Sequence, residues 1–287
     1  MNTPLFSVVI PTRDRNDTLA LCLDRLAPGA QALTHDQYEV IVADDSAHAA
    51  ARELVTDRYP WARWVAGPRR GPAANRNAGA RAARGEWLAF TDDDCLPESP
   101  WLAAFAESFS PNPAALEALE GRTTCRAGLN SPRQTAPVNL TGGLLWSCNF
   151  AMRRLGFETV GGFDERYPYP HMEDADLKSR LQKAGYMIHF VPEAEIDHPP
   201  RPLPWGTKLA RVHESSVLHM VLHGPSRGLP WYLVNQLRAR LSRIAREHKS
   251  LDTLSALGSL PVELVAIALN WRSWRARARA LAAGPRA

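Results

Sequence analysis

Short apolar runs of β-forming residues alternate with stretches of helical periodicity along the first part of the chain, and few architectures satisfy that alternation. Phe6 to Ile10, Tyr38 to Ala43, Arg63 to Ala66 and Glu86 to Thr91 read as strands. Between the first two, Leu19, Leu23 and Leu26 recur at helical spacing, with Asn16 or Asp17 as N-cap. Ala49 to Tyr59 and Pro72 to Arg84 supply the next crossovers. A parallel neighbour is reached only through a crossover long enough to hold such a helix. The expected class is therefore α/β, a mostly parallel sheet flanked by helices. With 287 residues the chain has room for one such domain and an appendage.

In open sheets of this kind ligands bind beyond the carboxyl ends of the strands, and this sequence concentrates its polar residues there. Pro11, Thr12 and Arg13 follow the first run, Asp44 and Asp45 the second, and Asp92, Asp93 and Asp94 the fourth. Any one cluster would also fit a turn in which Asp bonds its own backbone. Beyond Asp94 the pattern loosens. Trp101, Leu102, Phe105 and Phe109 form one helical face, and the Pro-, Asn-, Gly- and Ser-rich stretch from Ser110 to Thr141 is expected to hold the longest loops. Leu144 to Met152 reads as a strand, Gly161-Gly162-Phe163-Asp164 as a turn, Glu173 to Ala184 as a helix stopped by Gly185, and Met187 to Val191 as the last strand.

Two acidic segments point to chemistry. A strand running into Thr91-Asp92-Asp93-Asp94 aims acids two residues apart the same way, so Asp92 and Asp94 are expected to share a ligand. Carboxylate oxygens suit Mg²⁺ or Mn²⁺, which take one or two protein carboxylates together with phosphate oxygens. The second segment is His171-Met172-Glu173-Asp174-Ala175-Asp176-Leu177, with Leu177 and Leu181 on the buried face of the helix that follows. Acids in a first helical turn also serve as simple caps. The functional reading makes Asp174 a general base held at a rigid helix entrance.

Taken in order, Ser7-Val8-Val9-Ile10-Pro11-Thr12, Val42-Ala43-Asp44-Asp45-Ser46, Gly71-Pro72-Ala73-Ala74-Asn75-Arg76-Asn77-Ala78-Gly79, Phe90-Thr91-Asp92-Asp93-Asp94, Gly161-Gly162-Phe163-Asp164-Glu165 and Glu173-Asp174-Ala175-Asp176-Leu177 resemble the family 2 glycosyltransferases of GT-A fold. The resemblance runs from about Met1 to His198 and makes that stretch the catalytic domain, with 199–287 as a helical C-terminal region. It implies inverting transfer from a nucleotide diphosphate-sugar to an acceptor hydroxyl. In that reading Asp94 binds the metal, Asp92 the ribose or metal, and Asp93 belongs to the same donor motif. Asp44 or Asp45 holds the base with Arg76, and Pro11, Thr12 and Arg13 line the nucleoside side. Asp174 is the catalytic base with Glu173 beside it, His198 is a further metal or diphosphate ligand, and Asn149 faces the sugar or acceptor. Cys95, where many relatives carry an acid, reads as a small residue beside the site. The Q-x-x-R-W sequence of processive members is absent after His198, which implies non-processive transfer, for example in bacterial-type glycan assembly with a lipid-linked acceptor. A sugar nucleotidyltransferase would need a glycine-rich signature after the first strand, where Pro11-Thr12-Arg13-Asp14 stands. A nonenzymatic binding module would not need Asp92, Asp94 and Asp174 together.

Charge divides the chain at the same point. Met1 to His198 carries 20 Lys and Arg against 26 Asp and Glu, and Pro199 to Ala287 carries 14 against 4. In the tail Val234, Leu237, Leu241 and Ile244 alternate with Arg238, Arg240, Arg243, Arg246 and Lys249, a basic amphipathic helix entered through Trp231 and Tyr232. Trp271, Arg272, Trp274, Arg275, Arg277 and Arg279 follow. That pattern fits an anionic membrane surface and equally a helix packed on the body; no nucleic-acid reader motif accompanies it. Leu254 to Trp271 is the most apolar stretch, but Pro261, Glu263, Ser255 and Ser259 interrupt it, so a buried or interfacial helix is expected there. The N-terminal apolar run is too short for a signal peptide, and the four dispersed cysteines fit free thiols, so the expected compartment is the cytoplasm or the inner face of its membrane.

Overall fold

The computed structural model describes residues 3–112, 114–225, 227–246 and 252–284, so Lys249 lies outside the described residues. The chain begins with β1 (Phe6–Thr12), α1 (Asn16–Leu26), β2 (Tyr38–Asp44), α2 (Ala50–Arg58), β3 (Arg63–Ala66), α3 (Pro72–Ala82), β4 (Trp87–Phe90), β5 (Leu96–Pro97) and α4 (Trp101–Ser108). It continues through β6 (Glu117–Thr124), β7 (Gln134–Thr135), β8 (Phe150–Arg153), α5 (Arg154–Thr159), α6 (Glu173–Lys183), β9 (Met187–Asp197) and β10 (Arg201–Pro202). Four helices close it: α7 (Gly206–Arg211), α8 (His213–His223), α9 (Leu229–Arg246) and α10 (Asp252–Ala283). Two compact units result, the first comprising 1–126, 137–165 and 174–198, the second 127–136, 166–173 and 199–287.

The first unit is built on an eight-stranded sheet in the order β3-β2-β1-β4-β8-β6-β9-β5. β1 runs parallel to β2 and β4, and β2 to β3, as the crossover spacing demands. The sheet then becomes mixed, because β8 is antiparallel to both β4 and β6. Strand alternation separates two cores. Phe6, Val8 and Ile10 face Leu19, Leu23 and Leu26 of α1, whereas Val9 faces Ala73 and Ala80 of α3. α3 approaches β1 so closely that a Cβ on Gly79 would stand 2.5 Å from Val9 Cγ1. A side chain at Gly79 therefore requires the buried Val9 side chain or α3 to shift.

Three sequence expectations change. The stretch from Ser110 to Thr141 holds not only loops but β6, an interior strand of the sheet in which Ala118 and Leu119 are fully buried. Its two buried carboxylates disguise it. Glu120 accepts hydrogen bonds from the backbone N–H of Gly143, Leu144 and Leu145, and Glu117 from Ser110 N, so both acids are compensated by loop backbone. β9 extends to Asp197 rather than Val191, with a register shift between Gly121 and Thr123. α1 starts at Asn16 with Arg15 in the cap position and no side-chain cap, so neither Asn16 nor Asp17 caps it.

Asn149, expected to face sugar or acceptor, instead lies inside the first unit at 1 % exposure. Its Oδ1 accepts from Trp101 Nε1 at 2.8 Å, and its Nδ2 donates to Arg122 O at 2.8 Å and Ala194 O at 3.0 Å. One amide thus joins α4, β6 and β9, and it is fully used in doing so.

The second unit takes in 127–136 and 166–173, which the sequence assigns to the body. β7 pairs antiparallel with β10, Ser131 Oγ donates to Asp252 Oδ2 at 2.6 Å, and the Arg133 guanidinium lies 3.2 Å from the ring centroid of Trp205. Tyr167 joins a core made by Ala210, Val217, Tyr232, Ile267 and Trp271. Trp271 and Trp274 are therefore core residues at 5 and 4 % exposure, not interfacial aromatics. Arg240 likewise is not a solvated charge: it pairs at 2.9 Å with Glu263, a residue 1 % exposed whose Oε1 also meets His213 Nε2 at 3.0 Å. Burial works against ionisation of Glu263, but His213 and Arg240 outweigh it and hold its pKa below the usual range.

Two outcomes follow from these interiors. Asn149→Ala strips partners from one indole N–H and two carbonyls at about 1–3 kcal/mol for each buried group left unsatisfied, so urea unfolding is expected to show a loss of about 3 kcal/mol. His171, in the second unit, hydrogen-bonds Ser216 Oγ at 2.9 Å; burial, then His213, Arg240 and His219, push its pKa from 6.5 down to about 4. A depressed imidazole contributes stability that is complete above the unfolded value of 6.5 and is lost as pH falls toward 4. Unfolding free energies from urea titrations across that range are expected to fall, by up to about 3 kcal/mol for a shift of this size, and His171→Asn to flatten the dependence.

Candidate active site

The carboxyl ends of β1, β2 and β4 converge with the start of α6 and the end of β9, and the acids there divide into two kinds. β4 stops at Phe90, so Asp92 to Asp94 lie in a turn closed by Cys95 N donating to Asp92 O at 3.1 Å. Strand alternation therefore does not orient them; the turn does. Asp93 is buried and accepts from Thr12 Oγ1 at 2.6 Å and from Arg15 Nε at 3.1 Å. Burial raises its pKa to about 7 against the pull of Arg15 and Thr12. The side chains of Asp92 and Asp94 keep 16 and 11 % exposure. Asp92 Oδ1 takes Arg76 Nη2 at 2.5 Å, while Asp94 Oδ2 takes Arg15 Nη1 at 2.8 Å and its Oδ1 lies 3.3 Å from His198 Nε2.

Asp94 and His198 thus come together as expected of metal ligands, but Asp92 does not join them. The third ligand atom of that group is the Cys95 sulfur, each atom lying within 4.8 Å of the others. Burial, with Cys148 alongside, raises the Cys95 thiol well above its ordinary value and keeps it protonated. What remains is a carboxylate oxygen and an imidazole nitrogen, a donor set that fits Mg²⁺ or Mn²⁺ with phosphate and water oxygens completing the shell.

The residues expected around the base are mainly loop builders. Asp44 is 2 % exposed and accepts from Ser46 N at 2.9 Å, Ala51 N at 3.0 Å and Trp64 Nε1 at 3.2 Å. Burial opposes its charge, but these hydrogen bonds win and lower its pKa. Asp45 accepts from Arg69 N at 2.5 Å and Gly71 N at 3.0 Å, shaping the turn that enters α3. Arg76 pairs with Asp92 and lies 5.5 Å over the Phe163 ring. Pro11 is a buried β1 residue and Thr12 braces Asp93. Arg13 is 71 % exposed and meets only its neighbour Asp14, at 3.6 Å, among the contacts described. Arg15, two residues on, is the cation that reaches the acidic turn. A second Arg in the same loop was its only sequence signal.

Asp174 opens α6 just after Met172, whose φ of 73° turns the chain into the helix. Its Oδ1 accepts from Ala175 N at 2.7 Å. Burial raises its pKa, opposed by the backbone N–H of Ala175, the charge of Arg76 and the backbone N–H of Ser147. The charge of Arg76, paired with Asp92, thus also acts on Asp174. Asp176 turns inward, fully buried, to Arg180 Nε at 2.7 Å. Glu173 is buried at 4 % exposure in the first turn.

The profile of glycosyl transferase family 2 matches residues 7–161. The pre-mycofactocin glycosyltransferase of Mycobacterium tuberculosis is 28 % identical over 206 residues, 67 % of this chain and 42 % of that protein. The N-acetylglucosaminyl-diphospho-decaprenol L-rhamnosyltransferase of the same organism is 53 % identical over 57 residues, 20 % of this chain and 18 % of that one. The matched stretches thus span less than half of these relatives. The mannosyltransferase of Pyrobaculum calidifontis, solved with GDP-Man and Mn²⁺, aligns over 98 % of this chain and 79 % of its own with a TM-score of 0.55 at 21 % identity, which establishes the GT-A fold. With the profile covering more than half of the chain, from β1 through the acidic turn to the Gly161 loop, this protein belongs to glycosyl transferase family 2.

Proposed function

We propose that the chain is an inverting, metal-dependent glycosyltransferase that moves one sugar from a nucleotide diphosphate-sugar to an acceptor hydroxyl. The observation that carries the reading is the division among the acids. Asp93 and Asp176 are spent inside the first unit on Thr12, Arg15 and Arg180, whereas Asp92 and Asp94 in the turn after β4 and Asp174 in the first turn of α6 keep partial exposure.

Asp94 and His198 hold the cation, Mg²⁺ or Mn²⁺, which when bound neutralises charge on the leaving diphosphate. Arg76 and Arg15 add fixed positive charge beside the same acids. Asp174 accepts the proton of the acceptor hydroxyl as that oxygen bonds to the anomeric carbon. The bond from that carbon to the diphosphate breaks, its electron pair leaves with the nucleoside diphosphate, and the anomeric configuration inverts. The raised pKa of Asp174 suits it to this role, since a more basic carboxylate is a better proton acceptor near neutral pH. The acceptor is a hydroxyl on a lipid-linked glycan precursor, in line with the decaprenol-linked substrate in the name of the rhamnosyltransferase relative. Such a reaction is non-processive and runs at the cytoplasmic face of a membrane, where nucleotide-sugars are made.

Removing the metal ligand separates this reading from a metal-free one. Asp94→Ala is expected to fold as wild type and to lose the Mn²⁺-dependent part of nucleotide-sugar affinity in calorimetry; equal affinity with and without chelator would take Asp94 out of the site. For the base, Asp174→Asn is expected to bind donor within about threefold of wild type while transfer falls by ~10² to 10⁴. Slow donor hydrolysis supplies the rate until the acceptor is known, and release of nucleoside diphosphate rather than pyrophosphate distinguishes transfer from nucleotidyl chemistry. Asp176→Asn is the control. It weakens a buried ion pair, so its cost should appear in thermal stability first, and loss of turnover only in that variant would move the base there.

A further inference from the structure

α10 has two apolar faces, and the second unit covers only one. Ala256, Leu260, Ile267, Trp271, Trp274 and Ala278 recur every three or four residues and are buried, with Glu263 among them. On the opposite side Leu254, Leu257, Val262, Val265 and Leu269 are 73, 42, 48, 57 and 78 % exposed. From Thr253 to Trp271 the one charged residue is Glu263, and it lies on the covered face. The outer face therefore runs for about five turns without a charge. A helix at a water-facing surface normally places its polar residues there. Past Trp271 the same outer line continues as the exposed Arg272 and Arg279.

We infer that this outer face of α10 docks in the plane of an anionic bilayer, with Leu257, Val265 and Leu269 in the acyl boundary and Arg272 and Arg279 at the headgroups. Charge selects the occupant. The tail from Pro199 carries 14 basic residues against 4 acidic ones, so pairing this face with a second copy would bring two cationic surfaces together, whereas anionic lipid complements it. α10 is long and apolar enough to cross a membrane, by length and composition. Its inner face argues for lying flat instead. Glu263 is held there by His213 and Arg240, and Ile267, Trp271 and Trp274 share a core with Ala210 of α7, Val217 of α8 and Tyr232 of α9. Apolar insertion and cationic headgroup contact together give the in-plane mode of an amphipathic helix. The sequence pattern points to the arginines of α9 and to Trp271 and Trp274 for such contact; both tryptophans are buried, and the exposed line of α10 consists of uncharged Leu257, Val265 and Leu269 followed by Arg272 and Arg279. The inference does not depend on the transfer reaction or the acceptor, and its test uses neither.

The test is co-sedimentation of the full chain with vesicles of phosphatidylcholine alone or with about one third phosphatidylglycerol, at low and high salt. Wild type is expected to pellet with the anionic vesicles and to keep part of that binding at high salt, because the apolar component is not screened. Val265→Glu with Leu269→Glu should lower partitioning by about tenfold or more at both salts. Arg272→Glu with Arg279→Glu should lower it at low salt only. Both pairs are solvent-exposed, so circular dichroism melting should match wild type, which separates lost docking from lost fold. Wild type staying in the supernatant, or Val265→Glu with Leu269→Glu pelleting like wild type, would overturn the proposal. So would a wild-type dimer in sedimentation equilibrium that the same pair dissolves, since the face would then be an interface between copies.

Discussion

A carboxylate withdrawn from water must be met by hydrogen-bond donors or cations, and the first unit is arranged around several that are. Glu39 accepts from Ser7 Oγ and from the Arg84 backbone and side chain, tying β1, β2 and the end of α3 together. Asp44 and Asp45 gather the N–H groups of the loops after β2 and β3. Glu120 gathers those of residues 143 to 145, and Asp93 binds the end of β1 through Thr12. None of these acids is free to leave, because removing its donors would strand a buried charge at a cost of several kcal/mol. The loops at the strand ends are held in place by them.

That rigidity decides which acids are left for chemistry. The acidic turn after β4 offers three aspartates, and the middle one is consumed by the fold. The outer two diverge, Asp92 to Arg76 and Asp94 to His198 and Arg15. Arg76 pairs with Asp92 and its charge also acts on Asp174, so the cation that organises one carboxylate also tempers the basicity of another. A donor diphosphate and its metal would meet a surface whose charges are already oriented, and orientation in advance is what lets electrostatics lower a barrier without reorganisation at the moment of reaction.

The second unit follows a different rule. Its core is aromatic and aliphatic, but its centre holds Glu263, His213, Tyr232 and Arg240 in a closed polar set. Such a set stabilises little beyond what a hydrophobic replacement would, yet breaking it leaves an uncompensated buried charge, so it specifies which face of α10 turns inward. The face turned outward carries Leu254, Leu257, Val262, Val265 and Leu269, with Arg272 and Arg279 beyond it.

The alternation of apolar runs with helical periods was enough to place β1 to β4 and α1 to α3, because each signal is local and survives any packing. The ordered motifs were enough to bring out the family, and the acids at the strand ends stood where an α/β sheet puts a site. The sequence could not show that β6 threads the middle of the sheet, since its buried Glu120 looks like a loop residue until the N–H groups that satisfy it, more than twenty positions away, are brought near. Nor could it tell Asp92 from Asp93, Arg13 from Arg15, or Asn149 in a cleft from Asn149 inside the fold. In each case the residue type is the same and only the partner differs. Partners distant in sequence are chosen by tertiary packing, and so is the choice of which half of an apolar helix meets the core and which meets the outside.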